Sequence, residues 1–353
     1  MNRIQRLQDV LIESNLAALL VTDLLNVRYL VGFTGTAGAV LVTQDEAFFI
    51  TDFRYQDQAA NQVQDAQIRI HQSGVYQEVQ AIIADRNIKQ VGIEADNLTV
   101  AQFQMVQETL SALVKTTSQI VEELRQVKDQ SELDLIQKAC EITDEAYQHI
   151  LGFAKPGLTE IQIANELEAF LKNKGASGMS FTTIVASGAR GALPHGVASE
   201  KQLAKGELVT LDFGCFYQGY ASDMTRTFAI GSVDDQLRKI YDIVLEAQLR
   251  VIEHTKAGMT GCEIDALARD YISEKGYGDY FGHSNGHGVG LAIHEAPAIS
   301  TRSNDVMVEN MVITDEPGIY LPGIGGVRIE DDLVIQKEGV HVINQSPKEF
   351  ITI

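Results

Sequence analysis

Residues Glu207–Ile230 read ELVTLDFGCFYQGYASDMTRTFAI, two apolar-rich runs joined by Gln218-Gly219, each carrying one aspartate, Asp212 and Asp223. Two such runs on a two-residue, glycine-containing turn predict a β-hairpin. That turn sets Tyr217 opposite Tyr220 and Asp212 opposite Thr225. Asp223 then shares a sheet face with Asp212 and lies diagonal to it, roughly 7–8 Å away. Two carboxylates aimed at one spot repel each other unless something positive lies between them. Either both are solvated on an open face, or they hold a cation. The remainder of the chain must supply the other donors if the second reading is right.

A chain of 353 residues is long for one core, so two domains are expected. No apolar run reaches the ~18–20 residues that span a bilayer. The N-terminus places Ile4, Leu7, Val10 and Leu11 at helix spacing and shows no export signal. Cys140, Cys215 and Cys262 are far apart and form no CxxC pair. That suits a reducing, cytoplasmic setting and argues against disulfides or a thiolate zinc cluster. The net charge of −20 excludes nucleic acid and anionic membranes as general partners.

The first ~120 residues alternate short strand-like and helical segments, an α/β texture. Ala17–Val21, Ala39–Val42, Ala47–Ile50 and Val91–Glu94 read as strands; the region around Val75–Ala84 and Val100–Leu113 read as helices. Gly32, Gly35 and Gly38 are spaced GxxGxxG without the lysine of a phosphate loop, so this is a turn-rich connection. Arg28, Tyr29, Arg54 and Tyr55 are read as fold or interface residues. From Leu124 the texture changes to a long amphipathic helix with a cap candidate at Asp129 or Ser131. The domain boundary is therefore placed at residues 1–124 and 125–353.

Within the second domain, AKPGLTEIQIANELEAFLKNKG from Ala154 is matched by TKAGMTGCEIDALARDYISEKG from Thr255. Gly157/Gly258, Thr159/Thr260, Ile163/Ile264 and Gly175/Gly276 all keep an offset of 101. Such a constant offset implies two similar halves, each a helix pair that must pack on a sheet. A pocket between the halves is the natural site.

Four of the eight histidines lie in glycine- or proline-marked segments of this domain: His195, His283, His287 and His294. The His283/His287 pair cannot be a helical metal motif, because Gly282, Gly286, Gly288 and Gly290 surround it. Two further acids, Glu316 and Glu330, lie in strand-like runs around a turn-rich Leu-Pro-Gly-Ile-Gly. Period-two alternation puts Arg328 and Glu330 on one face, with Val327 and Ile329 on the other. A glutamate among apolar strand neighbours is costly to bury unless it is paired or metal-bound. Asp212, Asp223, Glu316, Glu330 and one histidine make a hard-donor set whose four carboxylates balance two divalent ions, Mn(II), Co(II), Fe(II) or Zn(II).

In the settings LDFG, SDMTRT, GHGVG, EPGIY and VRIED, the order Asp212, Asp223, His287, Glu316, Glu330 resembles the pita-bread metallopeptidases that include methionine aminopeptidases and Xaa-Pro peptidases. NVRYLVGFTGTAG and ITDFRYQDQA, from Asn26 and Ile50, look like the N-terminal domain of Xaa-Pro aminopeptidases. The resemblance implies an α+β pita-bread C-terminal domain of two pseudo-symmetric halves, with a smaller α/β creatinase-like N-terminal domain. It implies that Asp212 chelates one metal, that Asp223 and Glu330 bridge two, and that His287 and Glu316 bind the other. Glu316 would also shuttle a proton. His195 and His294 would position the scissile carbonyl, and His283 would line the pocket beside proline. Tyr320 and Arg328 would support the ligands. His-Ser-Asn-Gly before His287 and Phe53 depart from the family's usual residues, which affects local pocket shape.

The activity implied is removal of the N-terminal residue from peptides with proline second, by a cytoplasmic homodimer or higher homo-oligomer that uses two divalent ions, Mn(II) before Co(II), Fe(II) or Zn(II). The alternative is an Xaa-Pro dipeptidase (prolidase) restricted to dipeptides; GFTGTAG and TDFRY incline the reading to the aminopeptidase. A non-catalytic binding module, or a metal-free creatinase-like enzyme, would be expected to lack some of the ligands, and here all the positions match.

Overall fold

A computed structural model describes residues 2–353. In its N-terminal part six strands form one mixed sheet, in the order Gln67–Ile70, Ala47–Thr51, Ala39–Thr43, Ala18–Val21, Gln90–Glu94, Leu113–Thr117. The four inner strands are apolar runs such as Ala-Leu-Leu-Val and Ala-Phe-Phe-Ile, buried on both faces, and so they were legible as strands. Both outer strands were not. Gln-Ile-Arg-Ile and Leu-Val-Lys-Thr-Thr sit at the sheet edges with exposed side chains, where no apolar run is needed. As a result the helix expected over Val100–Leu113 ends at Thr109, and Leu113 opens an edge strand.

A polar cluster stands beside this sheet. Asn26 is fully buried, and its side-chain amide donates to Glu94 Oε1 and to Glu122 Oε1, each at 2.7 Å. Its Oδ1 accepts from Arg125 Nη1 at 2.8 Å. Glu94 also accepts from the backbone amides of Thr22 and Asp23. Asn26→Leu keeps the volume but removes three hydrogen bonds to charged groups, and should cost about 2–3 kcal/mol. Denaturant unfolding measures this; unchanged stability would mean that the cluster contributes nothing net.

The chain splits into two compact units at Arg125/Gln126. The second unit opens on the helix Gln130–Phe153, whose N-terminus is closed by Asp129 in a capping box with Glu132. Its two halves are visible as repeated structure. Helices Gln130–Phe153 and Glu160–Asn173 form one pair; Asp235–His254 and Gly261–Glu274 form the other. Thr159 and Thr260 cap the second helix of each pair, with Gln162 and Glu263 completing the boxes. Gly157 and Gly258 take φ of 92° and 90°, a region open to glycine, in the turn that joins each pair. Gly157 N–H donates to Leu203 O, and Gly258 N–H to Met307 O, both at 2.9 Å.

Each helix pair covers its own apolar core. Ile142, Tyr147, Ile163 and Leu167 pack with Val209, Leu211 and Phe228. Ile240, Val244, Ile264 and Ala268 pack with Ile313, Val327, Ile329 and Leu333. The first half contributes an antiparallel sheet of Met224–Ile230, Glu207–Phe213 and Ile184–Ser187. The second contributes a five-stranded sheet in the order Glu295–Ile299, Gly286–Gly288, Val312–Asp315, Asp331–Gln336, Gly339–Val342, with the ladder Gly318–Leu321/Gly325–Arg328 beside it. This is the pita-bread arrangement. Among the described residues, no helix is long and apolar enough to cross a membrane.

Candidate metal centre

The hairpin register is as the turn predicts: Thr225 pairs with Asp212, and Tyr217 with Tyr220. The hairpin is nevertheless broken midway. At Gly214 the backbone comes so close to Ser222 that a Cβ would lie 1.9 Å from its carbonyl oxygen. Beyond this crossing, Cys215–Tyr217 and Tyr220–Ala221 leave the first sheet and join Gly178–Met179. Asp223 sits at the break, just before the strand Met224–Ile230, and its amide donates to Asp332 Oδ2 at 2.9 Å.

The same device recurs in the second half. Glu316 falls between the strands Val312–Asp315 and Gly318–Leu321, and Glu330 between Gly325–Arg328 and Asp331–Gln336. Where a ladder stops, a side chain can be aimed along the sheet edge instead of strictly up or down. His287 lies on the short strand Gly286–Gly288 and its amide donates to Thr314 Oγ1 at 3.0 Å. Its Nδ1 is 3.0 Å from the Gly288 carbonyl. That contact requires Nδ1 to carry the proton and leaves the Nε2 lone pair free. Nε2 lies 3.6 Å from Asp223 Oδ2 and 3.6 Å from Glu316 Oε1.

These groups open onto a cleft of about 390 Å³. Asp212, Asp223, His287, Glu316 and Glu330 all line it, as do His195, His283, His294 and Arg328. Asp223, His287 and Glu330 form the tightest group, with one donor atom from each within 4.8 Å of the others. Tyr320 stands behind the wall. Arg328 Nη1 donates to Tyr320 Oη at 2.8 Å, and Tyr320 Oη is 2.8 Å from His283 Nε2. His283 Nδ1 lies 2.7 Å from Ser284 O. The chain of donors thus runs from the guanidinium through the phenol to an imidazole that carries its proton on Nδ1. The ring of His294 packs at 4.3 Å from that of His287, while the side chain of His195 is exposed.

The electrostatics are those of an overcrowded acid site. Burial, then the charges of Glu330 and Asp212, push the Asp223 carboxyl well above the usual carboxylate range. Burial and the neighbouring Glu316 and Asp212 do the same to Glu330. Glu316 is pushed up to about 7, mainly by burial. Burial lowers His283 and His287 to about 4, which keeps both imidazoles neutral. Arg328 offsets part of the charge through its guanidinium on Asp212 and its Nε–H on Thr225. Thr225 Oγ1 in turn donates to Glu330 Oε2 at 2.6 Å.

The site also holds two orphaned acceptors. Asp212 Oδ1 and Asp223 Oδ1 are buried without a hydrogen-bond partner. Buried carboxylate oxygens with no donor, a free imidazole nitrogen and mutually repelling acids fit hard divalent cations. Thr225, Thr314 and Asp332 were not singled out from sequence. Thr225 could have been, since the hairpin register already put it opposite Asp212. Asp332 lies in an acidic run that reads like any solvated surface.

The chain belongs to metallopeptidase family M24, whose model matches residues 134–337. The creatinase/prolidase N-terminal domain model matches residues 3–127. The chain is 38% identical to the Xaa-Pro dipeptidase of Pyrococcus furiosus, over 99% of both. It is 50% identical to the solved Xaa-Pro dipeptidase from Bacillus anthracis, covering 99% of each chain with a TM-score of 0.98. The X-Pro aminopeptidase from Thermotoga maritima is 36% identical, with a TM-score of 0.93 over 99% of this chain and 100% of that one.

Proposed function

We propose that this chain is an Xaa-Pro dipeptidase that hydrolyses the bond before proline with two divalent ions held by Asp212, Asp223, His287, Glu316 and Glu330. The observation that carries the reading is the meeting of these five side chains, from both halves of the repeat, in one cleft. Relatives carrying the Xaa-Pro dipeptidase name at 50% and 38% identity support the dipeptide limit. GFTGTAG and TDFRY inclined the sequence reading to the aminopeptidase, but relatives of both names cover that N-terminal region, so these segments do not discriminate. The aminopeptidase remains the second reading because the Thermotoga maritima protein matches over the whole chain. Mn(II) is the ion proposed, with Co(II), Fe(II) and Zn(II) as alternatives, and the working form a cytoplasmic homodimer.

When bound, the ions supply Lewis-acid polarisation of the scissile carbonyl and activation of a water. Glu316 would take the proton of that water and hand it to the proline nitrogen as it leaves. His195 and His294 would donate hydrogen bonds to the carbonyl oxygen as negative charge develops there. His283, held by Tyr320 and Ser284, would wall the pocket beside the pyrrolidine ring. An Xaa-Pro amide has no N–H, so recognition must come from shape and from the chain ends rather than from a backbone donor.

The test is a panel of Xaa-Pro, Xaa-Pro-Pro and longer peptides, with each metal added back to stripped enzyme. Turnover of dipeptides with no release of the first residue from tripeptides is the expected result. Efficient tripeptide cleavage would replace this reading with the aminopeptidase, and no cleavage of either with any metal would remove both.

A further inference from the structure

The loop that carries His195 leaves the strand Ile184–Ser187 and returns to the strand Glu207–Phe213, presenting Pro194, His195 and Val197 to the cleft. Its tip is exposed: Leu193 and Val197 retain about half of their surface. Such a loop would position a side chain poorly without an anchor. The anchor is Glu160, the first residue of the helix Glu160–Asn173, whose side chain is fully buried.

Five donors converge on its two oxygens. Oε1 accepts from Ser187 N–H and Ser187 Oγ, both at 2.8 Å. Oε2 accepts from Arg190 Nε at 2.9 Å, Ser199 N–H at 3.1 Å and Ser199 Oγ at 2.6 Å. One carboxylate therefore grips both stems of the His195 loop. Arg190, held by Glu160, donates across the loop to Val197 O at 2.6 Å, and Arg328 donates to Pro194 O at 3.2 Å.

The internal repeat shows that this grip is additional to what the fold requires. The backbone amides at the start of the helix bind the returning chain in both halves: Glu160 N–H to Lys201 O and Ile161 N–H to Ser199 O, Gly261 N–H to Asp305 O and Cys262 N–H to Ser303 O. The position of Glu160 is Gly261 in the second half. There a Cβ would lie 2.1 Å from Ala298 O, and the segment after His294 is already paired as the strand Glu295–Ile299. The half whose histidine is followed by a strand has no room for a side chain; the half whose histidine lies in a longer connection, tied back by a single bridge between Val197 and Ile184, has a buried glutamate.

We propose that Glu160 is a positioning residue that fixes the His195 loop over the cleft, acting on the substrate only through His195. This rests on the role of His195 given above. The test is steady-state kinetics on an Xaa-Pro dipeptide with Glu160→Gln, His195→Ala and the double variant, together with metal content and proteolytic nicking at the loop. Glutamine offers one acceptor where the carboxylate offers two, so one stem is released. Glu160→Gln should lower kcat about 10–100-fold, leave bound metal unchanged and speed cleavage near Leu193. In the His195→Ala background it should cost no more than about twofold, since the side chain it positions is gone.

Equal losses in both backgrounds, or full activity of Glu160→Gln beside an impaired His195→Ala, would overturn the proposal alone. Full activity of His195→Ala would overturn the role of His195 itself. If Glu160→Gln fails to fold, Ser199→Ala removes one of the five donors; it should cost about three- to tenfold, again only when His195 is present.

Discussion

Asp223→Asn is expected to abolish dipeptide turnover, by at least about a thousandfold, while making the metal-free protein more stable. Both effects follow from one arrangement. Asp223 is buried among Glu330, Asp212 and Asp332, its Oδ1 has no donor, and without a cation the repulsion is relieved only by taking up a proton at a cost in stability. Asparagine keeps the shape and removes the charge. Stripped of metal, the variant should melt about 2–6 °C above the parent. Adding Mn(II) should raise the melting temperature of the parent, because an ion bound only by the folded state stabilises it, and should leave the variant where it was. Metal analysis and thermal denaturation of both proteins, with and without chelator, read all four states. A variant that still binds two equivalents and turns over substrate would remove Asp223 from the centre.

The second large effect lies behind the site. Arg226 is wholly buried. It donates to Asp331 Oδ1 at 2.6 Å, to Glu330 O at 2.5 Å, to Thr225 O at 3.0 Å and to Ser346 O at 2.9 Å. Asp331 is equally buried and is also held by Lys348 and Gln248. Although burial works to raise it, Arg226 and Lys348 hold its carboxyl below the usual range. Arg226→Met leaves that charge short of a partner and frees the backbone of Glu330. It should cost about 3–5 kcal/mol, and weaken metal binding about 10–100-fold. Adding Asp331→Leu should recover part of the stability, but not the metal affinity. If the single variant unfolds at the same denaturant concentration as the parent, the buried pair is not what holds this corner.

Much of this was legible because the deciding signals are local. Gln218-Gly219 sets a hairpin register, and the register puts Asp212 opposite Thr225 whatever the rest of the chain does. The offset between Gly157 and Gly258 survives as matched positive-φ turns. The unread parts depend on partners distant in sequence. Gly214 breaks the hairpin because Ser222 crosses it, which no pattern in either strand announces. Glu160 looks like an ordinary first-turn acid until Ser187, at the end of the next long strand, and Ser199, from the loop after it, arrive. The strand Leu113–Thr117 is hidden because an edge needs no apolar run. Val91–Glu94, a central strand, needs one and shows it.

The duplication has a consequence for how such a centre can exist at all. Asp212 and Asp223 come from the first copy; His287, Glu316 and Glu330 come from the second. A lone copy would own an incomplete set of donors and could finish it only by meeting another chain at adequate concentration. Covalent fusion makes that encounter intramolecular, and it frees the twins to diverge, so that one keeps a glutamate where the other admits nothing larger than hydrogen.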